Sequence, residues 1–153
     1  MITIAKNENI EELSKLRVIQ QKEDWKELYP DKDDEFYMIT KKYLEEHLNK
    51  DIIFFIEIKD NKIIATCGLQ IINYMPQCVK SGNEGYICNV FTLKEYRRKG
   101  IQTNLIKECI EYAKKNNISK IKLSSNNPEA IKIYTGQRFE YDKLIMKKDL
   151  NIF

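Results

Sequence analysis

One histidine, no CxxC spacing among four cysteines, and no apolar run approaching the roughly 18 residues of a membrane span bound this chain before anything else does. The histidine, His47, lies far from any pair of cysteines, which excludes an ordinary zinc site. Cys67, Cys78, Cys88 and Cys109 read as free thiols, and with them the expected location is cytoplasmic. The opening Met1-Ile2-Thr3-Ile4 reads as a strand rather than a signal peptide, so no membrane association is expected. Internal repeats, low-complexity tracts and linkers are also missing, and 153 residues suit a single domain over residues 1–153.

What is present is ordinary in amount and uneven in placement. Hydrophobic residues make up 42% and charged residues 32%, which favours a soluble globular chain. A net charge of +3 is too small to argue for nucleic acid, and basic and aromatic residues do not interleave, so no nucleic-acid partner is expected. Residues 23–35 nevertheless carry seven acids (Glu23, Asp24, Glu27, Asp31, Asp33, Asp34, Glu35) against Lys26 and Lys32, a local charge of −5. The remainder therefore sums to +8.

Patterning predicts a short strand over residues 2–6, a helix over 11–21 and a loop over 25–33 that contains Tyr29-Pro30. A second helix follows from Asp33 or Asp34, with Phe36, Ile39, Tyr43, Leu44 and Leu48 at helical spacing. His47 falls beside that stripe and reads as a partly packed surface residue. Strands are predicted over 51–59, 63–74 and 86–92, with a hairpin at 59–62 and a mobile loop over 81–85. Residues 52–56 are continuously apolar, the mark of a strand covered on both faces. Next come a strongly periodic helix from Gly100 to Lys115, a short strand over 118–123, a helix capped by Asn127 with Pro128 in its first position, and a last strand over 139–147. The strand–helix–strand run is a βαβ unit.

The stretch Asn89-Val90-Phe91-Thr92-Leu93-Lys94-Glu95-Tyr96-Arg97-Arg98-Lys99-Gly100-Ile101-Gln102-Thr103 organises the rest. A helix N-terminus carries partial positive charge and unpaired N–H groups, and acids usually stand there. Here Arg97, Arg98 and Lys99 stand there instead, which is unfavourable unless an anion arrives, and phosphate is the usual one.

Two motifs on these elements resemble one family, the GNAT superfamily of acetyl-CoA-dependent N-acetyltransferases. Arg97-Arg98-Lys99-Gly100-Ile101-Gln102 is similar to its [Q/R]-x-x-G-x-[G/A] signature, and Asn127-Pro128-Glu129-Ala130-Ile131-Lys132-Ile133-Tyr134 to its N-x-x-A-x-x-x-Y helix. The resemblance implies an α/β (α+β) fold. It would have a mixed, mostly antiparallel sheet of six or seven strands, helices on both faces and a parallel βαβ unit at the cofactor site.

It also implies acetyl-CoA as cofactor. The backbone from Arg98 through Thr103, including Ile101, would cradle its pyrophosphate, and Gly100 would let the chain approach closely. Val90, Phe91 and Thr92 would hydrogen-bond the pantetheine arm, and Asn127 would contact it as well as cap its helix. Two residues depart from the family: Gln102 replaces a small residue, so its side chain must turn away from the ligand or restrict it. Arg138 stands where glycine is usual before Phe139.

The implied chemistry is direct transfer of an acetyl group from a thioester to a primary amine. The amine must lose a proton and the departing thiolate, with a pKa of about 8.5, benefits from an acid. By resemblance Tyr134 is that acid. Glu84 is the candidate base, offset from the family's glutamate, with a water chain as the alternative. Cys88 has no activating neighbour in sequence, which argues against an acetyl-cysteine route. The resemblance places acceptor recognition in residues 20–50 and before the central strand, so Trp25, Tyr29 and Glu84 are candidate contacts. The acidic, aromatic segment suits a cationic amine, and equally reads as a solvated loop. A small-molecule or peptide amine is the expected partner and a homodimer is allowed for. A module that holds coenzyme A without turnover is the rival reading.

Overall fold

The computed structural model describes residues 1–79 and 82–150. Five strands form one sheet in the order β1-β2-β3-β4-β5. They are β1 (Ile2–Ile4), β2 (Ile52–Lys59), β3 (Lys62–Asn73), β4 (Asn83–Thr92) and β5 (Lys120–Lys122). Successive pairs are antiparallel except β4–β5, which is parallel. The helices are α1 (Ile10–Trp25), α2 (Asp33–His47), α3 (Ile101–Lys115) and α4 (Pro128–Gly136).

The apolar run of β2 explains the layering. Alternate side chains of a strand point to opposite faces. Accordingly Phe54 and Ile56 pack with Leu13, Leu16 and Leu44 of α1 and α2, while Ile53 and Phe55 pack with Leu105, Ile106 and Cys109 of α3. Both faces are covered, as the sequence predicts.

Three differences from the sequence reading stand out. The sheet has five strands among the described residues rather than six or seven. Residues 139–147 form no strand, because the Asp142 carboxylate accepts from the Leu144 N–H at 2.9 Å, an Asx turn that breaks an extended run. Leu144 and Met146 are accordingly 90% and 96% exposed. Finally, Asn83 to Gly85 belong to β4 rather than to a loop, paired with Ile71 to Asn73; the expected loop's Ser81 lies outside the described residues.

Two irregularities shape the sheet where the site lies. β5 pairs only with Glu84 to Tyr86, so the rest of β4 has no strand neighbour on that side among the described residues. Further along β4, Thr66 faces Phe91 but Gly68 faces Cys88, so Cys67 alone opposes Asn89 and Val90. This is a β-bulge, with Asn89 at φ +49°, a conformation asparagine tolerates better than most residues. The Thr66 hydroxyl donates to the Asn89 carbonyl at 2.8 Å and fixes the bulge.

Candidate active site

After β4 the chain turns through a single 3₁₀ turn into α3, and the turn builds an anion cradle. Arg98 (φ +62°) and Gly100 (φ +73°) both take left-handed conformations. At α3's start no side chain caps the helix and no acid stands in the first turn. The N–H groups of Ile101, Gln102 and Thr103 therefore lack intrahelical partners. A Cβ added at Gly100 would meet no protein atom within 4 Å, so the concavity is open where a ligand would approach. These features fit a phosphate group.

The three basic residues divide their labour. Arg97 donates from Nε to the Thr92 carbonyl (2.7 Å) and from a terminal nitrogen to Glu23 (2.6 Å), which ties the turn to α1. Lys99 donates to the Glu95 carbonyl (2.9 Å) and lies over the Tyr96 ring. Arg98 makes neither a hydrogen bond nor an ion pair among the described residues.

Gln102 turns inward. Its Nε2 lies within reach of the carbonyls of Thr66 (3.1 Å) and Phe91 (2.8 Å) and of the Thr92 hydroxyl (2.9 Å). The long side chain thus staples the first turn of α3 to β3 and β4, a contact a glycine or alanine has no atoms to make. Phe91 and Thr92 are buried behind it, while Val90, Ile101 and Thr103 are half-buried.

Asn127 caps α4, accepting from the N–H groups of Glu129 (3.0 Å) and Ala130 (3.3 Å). Its amide nitrogen stays free of that role. At the other end Arg138, at φ +64°, closes a Schellman motif: Phe139 N–H reaches the Tyr134 carbonyl (3.0 Å) and Arg138 N–H the Thr135 carbonyl (2.9 Å). The left-handed position is filled by arginine where glycine would cost less. The motif holds Tyr134, whose ring packs edge-on to Phe139 with centroids 6.0 Å apart.

Tyr134 is 6% exposed, and its hydroxyl makes no hydrogen bond among the described residues. Burial, and secondarily the Cys67 thiol, push it up to about 12. It therefore remains a proton donor across the physiological range. Burial also pushes the Cys88 thiol up to about 11, which makes it a poor nucleophile.

These two shifts predict an alkaline loss of stability. Both folded values lie above the ordinary 9.0 of cysteine and 10.0 of tyrosine. The unfolded chain therefore ionises first, and stability is complete below those values and lost above them. Each group should remove about 1.4 kcal/mol per pH unit across its window, 9 to 11 for Cys88 and 10 to 12 for Tyr134. Urea unfolding between pH 8 and 11 measures this, and Cys88→Ala should flatten the first part of the fall.

Glu84 lies on β4 rather than in a loop, ion-paired to Lys122 at 2.6 Å. Glu84, Tyr86 and Cys88 alternate onto one face of β4, and Glu84 stands about 13 Å from Cys88 along the strand. His47 stacks on Tyr43 (centroids 4.3 Å apart) and bonds Asp51 at 2.9 Å, a packed surface residue.

Two adjoining cavities lie beside α1 and α2, and the first of them reaches the sheet. One, of about 260 Å³, runs from Phe36, Ile39 and Tyr43 to Thr66 and Asn89 at the bulge, with Arg17 and Gln20 in its wall. The other, of about 400 Å³, holds both Trp25 and Tyr29 and shares Phe36 and Ile39 with the first. Arg17 and Gln20 escape the sequence reading, although Leu13, Leu16, Arg17 and Gln20 follow helical spacing and put two polar residues on an inward stripe.

Comparison with known proteins agrees with this geometry. Residues 10–139 match the acetyltransferase (GNAT) family. An N-alpha-acetyltransferase of Saccharolobus solfataricus is 31% identical over 114 residues, 67% of this chain and 66% of that protein, so the match spans just under two thirds of that relative. Among solved structures, a predicted acetyltransferase with acetyl-CoA from Clostridium acetobutylicum is 26% identical, with a TM-score of 0.82 over 98% of this chain and 96% of its own. A GCN5-related N-acetyltransferase from Ralstonia eutropha shares the fold, with a TM-score of 0.80 at 15% identity over 98% and 97% of the two chains.

Proposed function

Because the chain belongs to the GNAT acetyltransferase family and is an acyltransferase, we propose that it moves the acetyl group of acetyl-CoA directly to a primary amine held between α1, α2 and β4. The observation that carries this reading is the pairing of an open, uncapped α3 N-terminus with a buried tyrosine whose hydroxyl has no hydrogen-bond partner among the described residues.

In this reading the N–H groups from Arg98 through Thr103 hold the pyrophosphate, with Arg98 supplying the uncommitted positive charge and Lys99 adding to the field. Arg97 serves chiefly to fix the turn. The edge of β4 around Val90 to Thr92, beyond the reach of β5, and the Asn127 amide hold the pantetheine arm. When bound, acetyl-CoA supplies an acetyl group activated as a thioester, with a thiol as leaving group.

Transfer breaks the C–S bond and forms an N–C bond; one proton leaves nitrogen and one reaches sulfur. Tyr134 delivers the second proton. Glu84, which lines neither cavity, receives the first through water, since about 13 Å of strand separates it from Cys88. The high Cys88 value supports transfer without an acetyl-cysteine stage.

Incubation with acetyl-CoA and a panel of amines, followed by free thiol release, tests the reading; coenzyme A binding without thiol release, whichever amine is supplied, would favour a non-catalytic module. Gly100→Ala isolates the cradle. The new Cβ meets nothing within 4 Å, so folding bears only the left-handed strain, about 1–2 kcal/mol. Coenzyme A affinity by calorimetry should fall by more than about tenfold, from loss of at least one charge-assisted contact.

A further inference from the structure

The acidic segment 23–35 suits a cationic acceptor on sequence and equally a solvated loop, and three of its seven acids are ion-paired within the protein. Glu23 pairs with Arg97, Asp33 with Lys22 and Glu35 with Lys32. The charge that faces the reaction side of the cavity is of the opposite sign. Arg17 stands in the wall of the 260 Å³ cavity among Leu13, Phe36, Ile39, Tyr43 and Phe54, and the same cavity reaches Asn89 at the β4 bulge.

Its hydrogen bonding is incomplete. Arg17 Nη1 donates to Gln20 Oε1 at 3.1 Å, and no other hydrogen bond or carboxylate within 4.0 Å is present among the described residues. A guanidinium has five N–H donors in a planar fork, so most of them are unspent. Gln20 holds the group in place, being itself buried and donating from Nε2 to the Val90 carbonyl at 3.4 Å. Burial lowers the Arg17 pKa, and the more distant charges of Cys88 and Asp24, neither of them hydrogen-bonded to it, offset this only in part.

We propose that the acceptor amine bears a carboxylate and an apolar side chain, as in a free hydrophobic amino acid, and that Arg17 binds the carboxylate. This rests on the transferase reading for the identity of the cavity as the acceptor site. A carboxylate matches the guanidinium fork with two parallel hydrogen bonds, and those bonds strengthen where water is excluded. The apolar wall takes the side chain and leaves the amine toward Asn89. An amine without a carboxylate leaves the half-buried cation short of a partner, and a polycationic amine adds a like charge beside it, so both are discriminated against.

Matched pairs test this: leucine against 3-methylbutylamine, and phenylalanine against phenethylamine, by thiol release from acetyl-CoA. The carboxylated member of each pair should be favoured in kcat/KM by at least about 30-fold, the scale of a hydrogen-bonded charge pair. Arg17→Met should abolish the preference while coenzyme A affinity and melting temperature hold, and Arg17→Lys should restore part of it.

A binding arm separates the two readings. N-acetyl-leucine and N-acetyl-3-methylbutylamine are titrated calorimetrically in the presence of coenzyme A. Arg17-dependent preference for the carboxylate without thiol release would overturn the transferase reading and uphold the carboxylate site. Thiol release with no carboxylate preference in the unmodified protein would overturn the carboxylate site alone, whatever the variants do.

Discussion

Tyr134→Phe is expected to lower kcat by about 10²- to 10³-fold, equivalent to about 2.7–4 kcal/mol of transition-state stabilisation. The substitution removes one oxygen and almost no volume. Because the hydroxyl makes no hydrogen bond among the described residues, its loss orphans no partner there, and the edge-on packing against Phe139 is retained. Melting temperature and coenzyme A affinity should therefore hold while turnover falls. In the unmodified protein the rate should rise with pH as the acceptor amine deprotonates. It should show no fall attributable to the acid until Tyr134 itself ionises near pH 12. Unimpaired turnover in the phenylalanine variant, measured by thiol release, would remove Tyr134 from the proton path.

The second large effect is expected from Arg98→Glu combined with Lys99→Glu. The pair places two negative charges at a helix N-terminus that has no acid in its first turn, so the helix should form at least as well as before. The anion site, by contrast, is reversed in sign. Loss of an attractive contact together with repulsion should weaken coenzyme A binding by roughly 3 kcal/mol, a factor of about 150. The loss should shrink at high salt, because an exposed charge cluster is screened. Calorimetric titration at two ionic strengths measures both; unchanged affinity would place the phosphates elsewhere.

Much of this arrangement was legible in particular residues. The glycine after three basic residues marked the start of α3, and the Asn127-Pro128 pair marked α4 to the residue. The continuous apolar residues of β2 announced a two-sided sheet. The turn chemistry that ended β2 and began β3 was equally local.

What escaped depended on distance in sequence. Nothing local told that Gln102 would spend its side chain on Thr66 and Phe91, 36 and 11 residues away. Nor could residues 139–147 reveal that a turn at Asp142 would outcompete pairing, since the apolar content of the segment suits a strand. Arg17 was hidden for a different reason. An arginine on a helix reads as solvent-facing unless its neighbours at helical spacing are weighed with it, and Leu13 and Leu16 supply that sign.

The short pairing of β5 with β4 has a consequence for the life of the chain before it meets a ligand. A strand edge with unspent N–H and C=O groups is a template for another chain, and proteins normally guard such edges with charge, bulges or a covering element. Here the bulge at Asn89 twists part of the edge, Gln20 and Arg97 already donate to the Val90 and Thr92 carbonyls, and what remains is the stretch assigned to the pantetheine arm. Cofactor supply during synthesis would thus act as a solubility factor, covering the stretch of β4 that has no strand neighbour among the described residues.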